Sequence, residues 1–167
     1  MFLDTNKTNN IEVESGQTYQ LIIFRLGEQE YGLMIDQIRE VVITPNITKV
    51  PLTANYIRGV ANIRGNVMAI VDLEQRFQLT QEDSKLDTTQ KTFTLVIAHE
   101  EYKMGILLRE VPSTLSLSDK NIDFKPSLIQ SYNADRDCII GIAQLGDRII
   151  ILLDILKAVA KKDFADF

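Results

Sequence analysis

The residue types that most often perform covalent or metal chemistry are scarce in this sequence. It contains one histidine, His99, and one cysteine, Cys138, among its 167 residues. A Cys–His pair could activate a thiol, but His99 lies in a polar tripeptide between two apolar runs and Cys138 begins an apolar run. The first pattern predicts a hairpin turn and the second a buried, inert thiol. Zinc requires clustered Cys or His ligands, so we expect no metal and no cofactor.

Carboxylates are plentiful, and two of them in a cleft could act as general acid and general base. The main candidates are Glu28, Glu30, Asp36, Glu40, Asp72, Glu74, Glu82 and Asp83. Charged residues of this kind usually form solvated faces, and the glycine-rich phosphate loops and the G-x-S-x-G nucleophile motif do not occur in the sequence. We therefore expect that the chain is not an enzyme, and we keep a small carboxylate-dependent hydrolase as the less favoured alternative.

The composition is that of a folded globular protein, with 45% apolar and 25% charged residues. The formal net charge of −5 argues against nucleic acid as a partner. No apolar run approaches the roughly 20 residues of a membrane helix, and residues 1–18 lack the apolar core of a secretory signal. Together with the single cysteine, these features predict a cytoplasmic protein that does not insert into a membrane.

The elements that must position any functional residue are mostly short strands. Two apolar segments, 20–26 and 31–35, flank a Gly27-containing turn and predict a β-hairpin. Five apolar residues at 67–71 predict a buried strand. Residues 1–18 are polar and predict a flexible arm.

The second half of the chain repeats the first. Asp72 follows Gly59 by 13 residues, Asp154 follows Gly141 by the same interval, and the segments around them align without a gap. We infer a duplicated β unit and a mainly β fold of two small barrels, about 19–78 and about 91–155, joined by a polar linker. The apolar spacing in 154–164 predicts a C-terminal helix.

The repeat separates residues required by the fold from residues free to serve function. The paired glycines and aspartates are expected to be backbone and cap positions. The tetrapeptide 62–65 is distinctive in the first copy only and suits a turn that presents Arg64. Its guanidinium could bind a partner's carboxylate or carbonyl groups, or form a structural ion pair with Glu40 or Asp72, and the sequence leaves both open.

Two further segments are candidates for partner contact. Residues 36–42 carry an apolar residue on both strand faces, which predicts an interior strand or, as an alternative, a strand lining a partner groove. Residues 119–137 form an insertion relative to the first half, interpreted either as a contact surface or as a tolerated surface loop.

The motifs LGEQEYG at 26–32, IREV at 38–41 and YIRGVANIRG at 56–65, with IVDL at 70–73 and LGDR at 145–148, resemble those of the CheW-like chemotaxis coupling (adaptor) proteins. The resemblance spans about residues 19–160. It implies two SH3-like five-stranded β-barrel subdomains around a shared core, with short helices. It also implies a non-enzymatic adaptor that binds the cytoplasmic tips of chemoreceptors and the regulatory domain of a chemotaxis histidine kinase.

By this resemblance, two sets of residues contact partners. The residues expected to bind the receptor are Ile38, Gly59, Asn62 and Arg64. The residues expected to bind the kinase are Glu40 and Val41. The chain departs from the family pattern at Arg109, where an aspartate is usual, and at Ala54 and Ala69, where proline is frequent. The alternative within the binding class is a related adaptor for another motility pathway.

Overall fold

The computed structural model describes residues 16–79, 90–124 and 137–164 of the chain. Most of these residues belong to short strands, and the helices span one turn or little more. The strands are β1 Thr18–Leu26, β2 Gln29–Met34, β3 Ile38–Ile43, β4 Ile57–Ile63, β5 Asn66–Val71, β6 Phe93–Ile97, β7 Met104–Leu108, β8 Ser113–Ser118, β9 Ile122–Phe124, β10 Ile139–Leu145 and β11 Arg148–Leu153. The α-helices are α1 Leu73–Arg76 and α2 Ile155–Ala158, and 3-10 helices span Ile35–Gln37, Asp119–Asn121 and Lys161–Phe164.

The strands form two sheets. The six-stranded sheet has the order β8-β1-β2-β11-β10-β9, and the five-stranded sheet has the order β3-β6-β7-β5-β4. Neighbouring strands are antiparallel except for β2 with β11 and β5 with β7, which are parallel. The mainly β class, and the two SH3-like subdomains that the family resemblance implies, are confirmed. The expectation of five strands in each is met by one sheet only, because β8 and β9 from the second half add both edges of the other sheet.

The two halves of the chain exchange their first hairpins. Hairpin β1–β2 of the first half pairs with β8 and β11 of the second half. Hairpin β6–β7 of the second half pairs with β3 and β5 of the first. The ranges predicted for the two barrels, 19–78 and 91–155, therefore do not correspond to one sheet each. Contiguous ranges were expected because apolar patterns identify strands but carry no information on which strands pair.

Three apolar clusters hold this arrangement together. The largest lies between the sheets and includes Leu33, Leu73, Leu153 and Ile155, which come from both halves and are all at most 1% exposed. A second cluster belongs to the six-stranded sheet and a third to the five-stranded sheet. Because each half contributes to the central cluster, the sheets share a core in addition to their own, as predicted.

The repeated glycines and aspartates occupy matching places in the two halves: each glycine follows a shift in strand register and each aspartate caps a helix. The register of β4 against β5 shifts between Ile57 and Gly59, and that of β10 against β11 shifts at the matching place before Gly141. Asp72 accepts a hydrogen bond from the Gln75 amide and Asp154 accepts one from the Leu156 amide. The prediction that both aspartates are caps is confirmed.

The C-terminal helix predicted for 154–164 is interrupted. Helix α2 ends at Ala158, Val159 has extended backbone angles, and a 3-10 helix follows from Lys161 to Phe164. The break allows Val159 and Phe164, 6% and 8% exposed, to pack into the central cluster together. Burial of these two side chains therefore prevails over continuation of the helix.

Several sequence predictions fall wholly or partly outside the described residues. The flexible arm predicted for 1–18 is described only from residue 16, and β1 begins at Thr18. Residues 80–89 of the polar linker and 125–136 of the 119–137 insertion are not described. Cys138 is 3% exposed, as expected for a buried thiol.

Candidate partner-binding site

The turn between β4 and β5 presents a single arginine. Ile63 pairs with Asn66, so Arg64 and Gly65 form a two-residue hairpin turn, and both have positive φ angles, 52° and 84°. The side-chain oxygen of Asn62 accepts a hydrogen bond of 2.9 Å from the Gly65 amide and closes this turn. An arginine in the left-handed region costs about 1 kcal/mol relative to glycine. The arginine side chain at this position is therefore accompanied by backbone strain.

The Arg64 side chain is anchored at its base and open at its tip. Its Nε donates to both carboxylate oxygens of Glu40, at 2.9 and 2.7 Å. The terminal amino groups of the guanidinium make no hydrogen bond to the described part of the chain, and the Arg64 side chain is 72% exposed. Such an arrangement fixes the direction of a planar fork that can still bind a carboxylate or carbonyl group.

The Arg64–Glu40 ion pair also closes the five-stranded sheet. Glu40 lies on β3 and Arg64 follows β4, and these strands are the two opposite edges of the sheet. The sheet must therefore curl until its edges meet. The sequence left two acids open as structural partners of Arg64: Glu40 is the observed one, whereas Asp72 pairs with Arg58 at 2.6 Å.

Strand β3 is an edge strand and not an interior strand. It pairs with β6 alone, so the interior prediction for residues 36–42 is wrong. Its alternate residues Arg39, Val41 and Ile43 face solvent, and the exposed fractions of Val41 and Ile43 are 38% and 57%. Sequence reasoning missed Ile43, although its alternation with Val41 along the strand was a usable signal.

The remaining predicted receptor residues have structural contacts. Gly59 is buried with φ 146°, and a side chain there would overlap the carbonyl oxygen of Thr48. That approach permits the two hydrogen bonds of 2.8 Å between Thr48 and Val60. Ile38 is half-buried and packs against the central cluster. The exposed candidates on this sheet are therefore Arg64, Asn62 and Val41, with Glu40 half-buried beneath Arg64.

Arg109 occupies a position where the family resemblance predicts an aspartate, and its side chain joins three parts of the molecule. Its Nε donates to Glu74 at 3.2 Å, and Glu74 also accepts a hydrogen bond of 3.0 Å from the Gly27 amide. Glu74 is only 7% exposed, so these two donors satisfy a buried carboxylate. The departure therefore ties the end of β7 to α1 and to the β1–β2 turn.

Four of the eight carboxylates considered as acid–base candidates are engaged with arginines. Glu30, Glu40, Asp72 and Glu74 each pair with a different arginine. Hydrogen bonds from Arg148 hold the pKa of Glu30 below its ordinary value of 4.5. In the described ranges, no three His, Cys, Asp or Glu side chains come together as metal ligands. Nor does any described helix have the length and apolar character needed to cross a membrane.

Comparison with known proteins gives consistent matches over most of the chain. The family model for the CheW-like domain matches residues 20–163. The chain is 30% identical over 151 residues to the chemotaxis protein CheW of Helicobacter pylori, covering 90% of this chain and 87% of that protein. It is 26% identical over 147 residues to the chemotaxis protein CheW of Treponema pallidum, covering 88% and 85%.

A solved structure agrees with the fold. The crystal structure of the scaffolding protein TtCheW from Thermoanaerobacter tengcongensis superposes with a TM-score of 0.68 and 27% identity. The match covers 83% of this chain and 90% of that one.

Proposed function

The chain belongs to the CheW-like family of chemotaxis coupling adaptors, and we propose that it joins the cytoplasmic tips of chemoreceptors to the regulatory domain of a histidine kinase. Coupling of this kind requires two binding surfaces on one rigid body and no bond-breaking step. Holding two partners in fixed geometry raises their effective concentration, and each partner can then influence the other's affinity. We accordingly assign no catalytic residue, and we place the protein in the cytoplasm at receptor arrays.

The presentation of Arg64 is the observation that carries the receptor side of the proposal. A residue type that strains the turn occupies it, Glu40 binds its Nε, and its terminal amino groups make no hydrogen bond to the described residues. Receptor tips are helical hairpins, and a fixed guanidinium fork can bind their carboxylates or exposed carbonyl groups. Asn62 acts with it by closing the turn, and Gly59 and Ile38 act by shaping the strands beneath.

The outer face of β3 supports the kinase side. Val41 and Ile43 place two apolar side chains on an edge strand whose outward backbone groups are not paired in the described sheet. Apolar side chains on an open edge suit a partner that is itself a β-barrel. Glu40 lies between the proposed receptor surface and the proposed kinase surface. It binds Arg64 of the receptor surface, and the next residue, Val41, belongs to the kinase surface.

The receptor side is tested with Arg64→Ala and a matched control, Arg148→Ala. Arg148 makes an equivalent pair with Glu30, at 3.0 and 2.8 Å, on the other sheet. We expect Arg64→Ala to weaken binding of a receptor signalling fragment at least tenfold, as loss of a charged interface contact does. Arg148→Ala should leave it within about twofold. Equal losses, or unfolding of Arg64→Ala in circular dichroism, would refute the assignment.

The kinase side is tested with Val41→Glu, using Thr114→Glu as its control. Thr114 is an exposed residue of β8, which is an edge strand of the other sheet. A charge in the centre of an apolar contact should reduce affinity for the isolated kinase regulatory domain by about a hundredfold. The binding of the receptor fragment should be unaffected. If both variants bind the kinase domain equally well, the β3 face is not the contact.

A further inference from the structure

The last described segment, Val159–Phe164, crosses from the second half of the chain to the first. We call it the strap. Helix α2 follows the last strand of the second half, and the extended backbone of Val159 ends this helix. The strap packs Val159 and Phe164 into the central cluster but adds no strand to either sheet. It is therefore attached to the fold by side-chain packing and by hydrogen bonds outside the strand ladders.

One hydroxyl group of the first half makes two of these contacts. The Tyr56 hydroxyl donates to Asp163 Oδ2 at 2.5 Å and accepts a hydrogen bond from the Ala160 amide at 3.2 Å. Tyr56 is only 8% exposed, and its ring lies under the guanidinium of Arg76 at 5.5 Å. Burial and the Asp163 hydrogen bond raise the pKa of Tyr56 to about 12, so the hydroxyl remains a donor at neutral pH.

The other end of the strap is held by an aromatic contact. Phe164 meets the ring of Tyr102 edge-on, with 6.2 Å between the ring centroids. Phe164 also lines a groove of about 430 Å³ together with Gly65, Asn66 and Val67. Movement of the strap would therefore alter the surroundings of the turn that presents Arg64.

The repeat shows that these contacts are additional to the fold. The residue equivalent to Tyr56 in the second half is Cys138, and both residues accept the same 2.7 Å hydrogen bond through their backbone carbonyl, from Asp72 and Asp154 respectively. Only Tyr56 carries a hydroxyl group that reaches another segment. Both halves thus use the backbone of this position and bury its side chain in the central cluster, and in the first half the hydroxyl group also binds the strap.

We propose that the strap opens and closes as a unit while both sheets remain folded, and that the two hydrogen bonds of the Tyr56 hydroxyl hold it closed. Closed, it buries Val159 and Phe164 and completes the groove beside Gly65. Open, it exposes the central cluster at this end and leaves the groove without its Phe164 wall. A segment that no strand ladder holds can open locally at a free energy below that of global unfolding.

Amide hydrogen exchange of the full chain tests the strap. In the wild-type protein, exchange of the Ala160 and Asp163 amides should depend less steeply on urea than exchange of the β5 and β11 amides, because opening of the strap exposes less surface than global unfolding. Tyr56→Phe keeps the ring and removes the hydroxyl group, and it should accelerate exchange at these two amides about tenfold. Amides of β5 and β11 should exchange at their wild-type rates.

Two comparisons make the outcome decisive. Tyr19→Phe removes a hydroxyl group from β1, whose contact to Gln17 is 3.4 Å, and it should not change exchange at Ala160 or Asp163. Asp163→Asn keeps an acceptor oxygen and should accelerate exchange less than Tyr56→Phe does. The proposal is overturned if Tyr56→Phe leaves both amides unchanged, or if strand amides accelerate by the same factor.

Discussion

The β4–β5 and β10–β11 turns occupy equivalent places in the two halves of the chain and use the same backbone angle with different residues. Gly146 adopts φ 60° in the second half, and Arg64 adopts φ 52° at the matching position in the first. Glycine is the residue that this conformation favours. The two halves therefore share the backbone conformation at this position, and only the first half carries a long charged side chain there.

The two sheets differ correspondingly at their edges. The five-stranded sheet is closed by the Arg64–Glu40 ion pair and carries exposed Val41 and Ile43 on its edge strand. The six-stranded sheet brings Tyr19 and Phe124 into edge-on contact at 5.5 Å. Its edge strand β8 has the exposed residues Ser113, Thr114 and Ser116. The five-stranded sheet therefore combines an exposed arginine with exposed apolar residues on an edge strand, whereas strand β8 of the six-stranded sheet exposes hydroxyl side chains.

The largest difference between the halves is expected at the paired glycines. Gly59→Ala places a Cβ at φ 146° and against the Thr48 carbonyl oxygen, whereas Gly141→Ala places one 3.0 Å from the Asp123 carbonyl oxygen without a positive φ. We expect losses of about 3 kcal/mol or more and about 1 kcal/mol in the free energy of unfolding. Urea denaturation measures both. Similar losses would show that the two bulges are equally strained.

The next largest difference in the free energy of unfolding is expected between substitutions of the paired aspartates. Asp72→Asn keeps a capping oxygen but removes the charge that Arg58 binds at 2.6 Å, and Asp72 is only 4% exposed. Asp154 is a cap whose equivalent neighbour to Arg58 is the uncharged Ile140. We expect Asp72→Asn to cost about 2 kcal/mol and Asp154→Asn less than about 0.5 kcal/mol in thermal or urea unfolding. A reversed order would remove the structural distinction between the caps.

The smallest effect concerns the pair that Arg148 and Glu30 form on the six-stranded sheet. The folded state lowers the pKa of Glu30, chiefly through the Arg148 hydrogen bond, so the pair stabilises the protein above the ordinary pKa of 4.5. That contribution is lost as the pH falls through the lowered value. Arg148→Ala should cost about 0.5 kcal/mol at pH 7, since the pair is partly exposed.

Urea unfolding of wild type and Arg148→Ala at a series of pH values measures this term. The two stabilities should converge once Glu30 is protonated in the folded state. A difference that persists unchanged into acid would mean that the Arg148 stem, and not its charge, supports the sheet.

The sequence predicted best those features that local spacing determines. The glycine bulges and aspartate caps recur at a fixed interval because each is built within one segment, so 59–73 and 141–155 revealed the duplication. The Asn62-to-Gly65 pattern predicted a turn that presents Arg64 for the same reason. Such elements form from residues close in the chain and leave a readable pattern.

Pairing between distant segments was beyond the reach of the same reasoning. Nothing in the patterns of β2 or β7 specifies that each joins the other half's last strand, and the apolar residues on both faces of β3 suit an edge bound to a partner as well as an interior strand. The choice of Glu40 over Asp72 as the partner of Arg64 also depends on how far the sheet curls. These outcomes are decided by tertiary packing.

The exchange of hairpins has a consequence for synthesis of the chain on the ribosome. Glu30 of β2 lies beside Ile150 of β11, so the β2 edge of the first hairpin stays unpaired until residues 148–153 have left the ribosome. Until then its open edge must be shielded from other nascent chains, because unpaired strands template aggregation. Neither half of the chain supplies all the strands of a sheet, so neither sheet can be completed until strands of both halves have been synthesised.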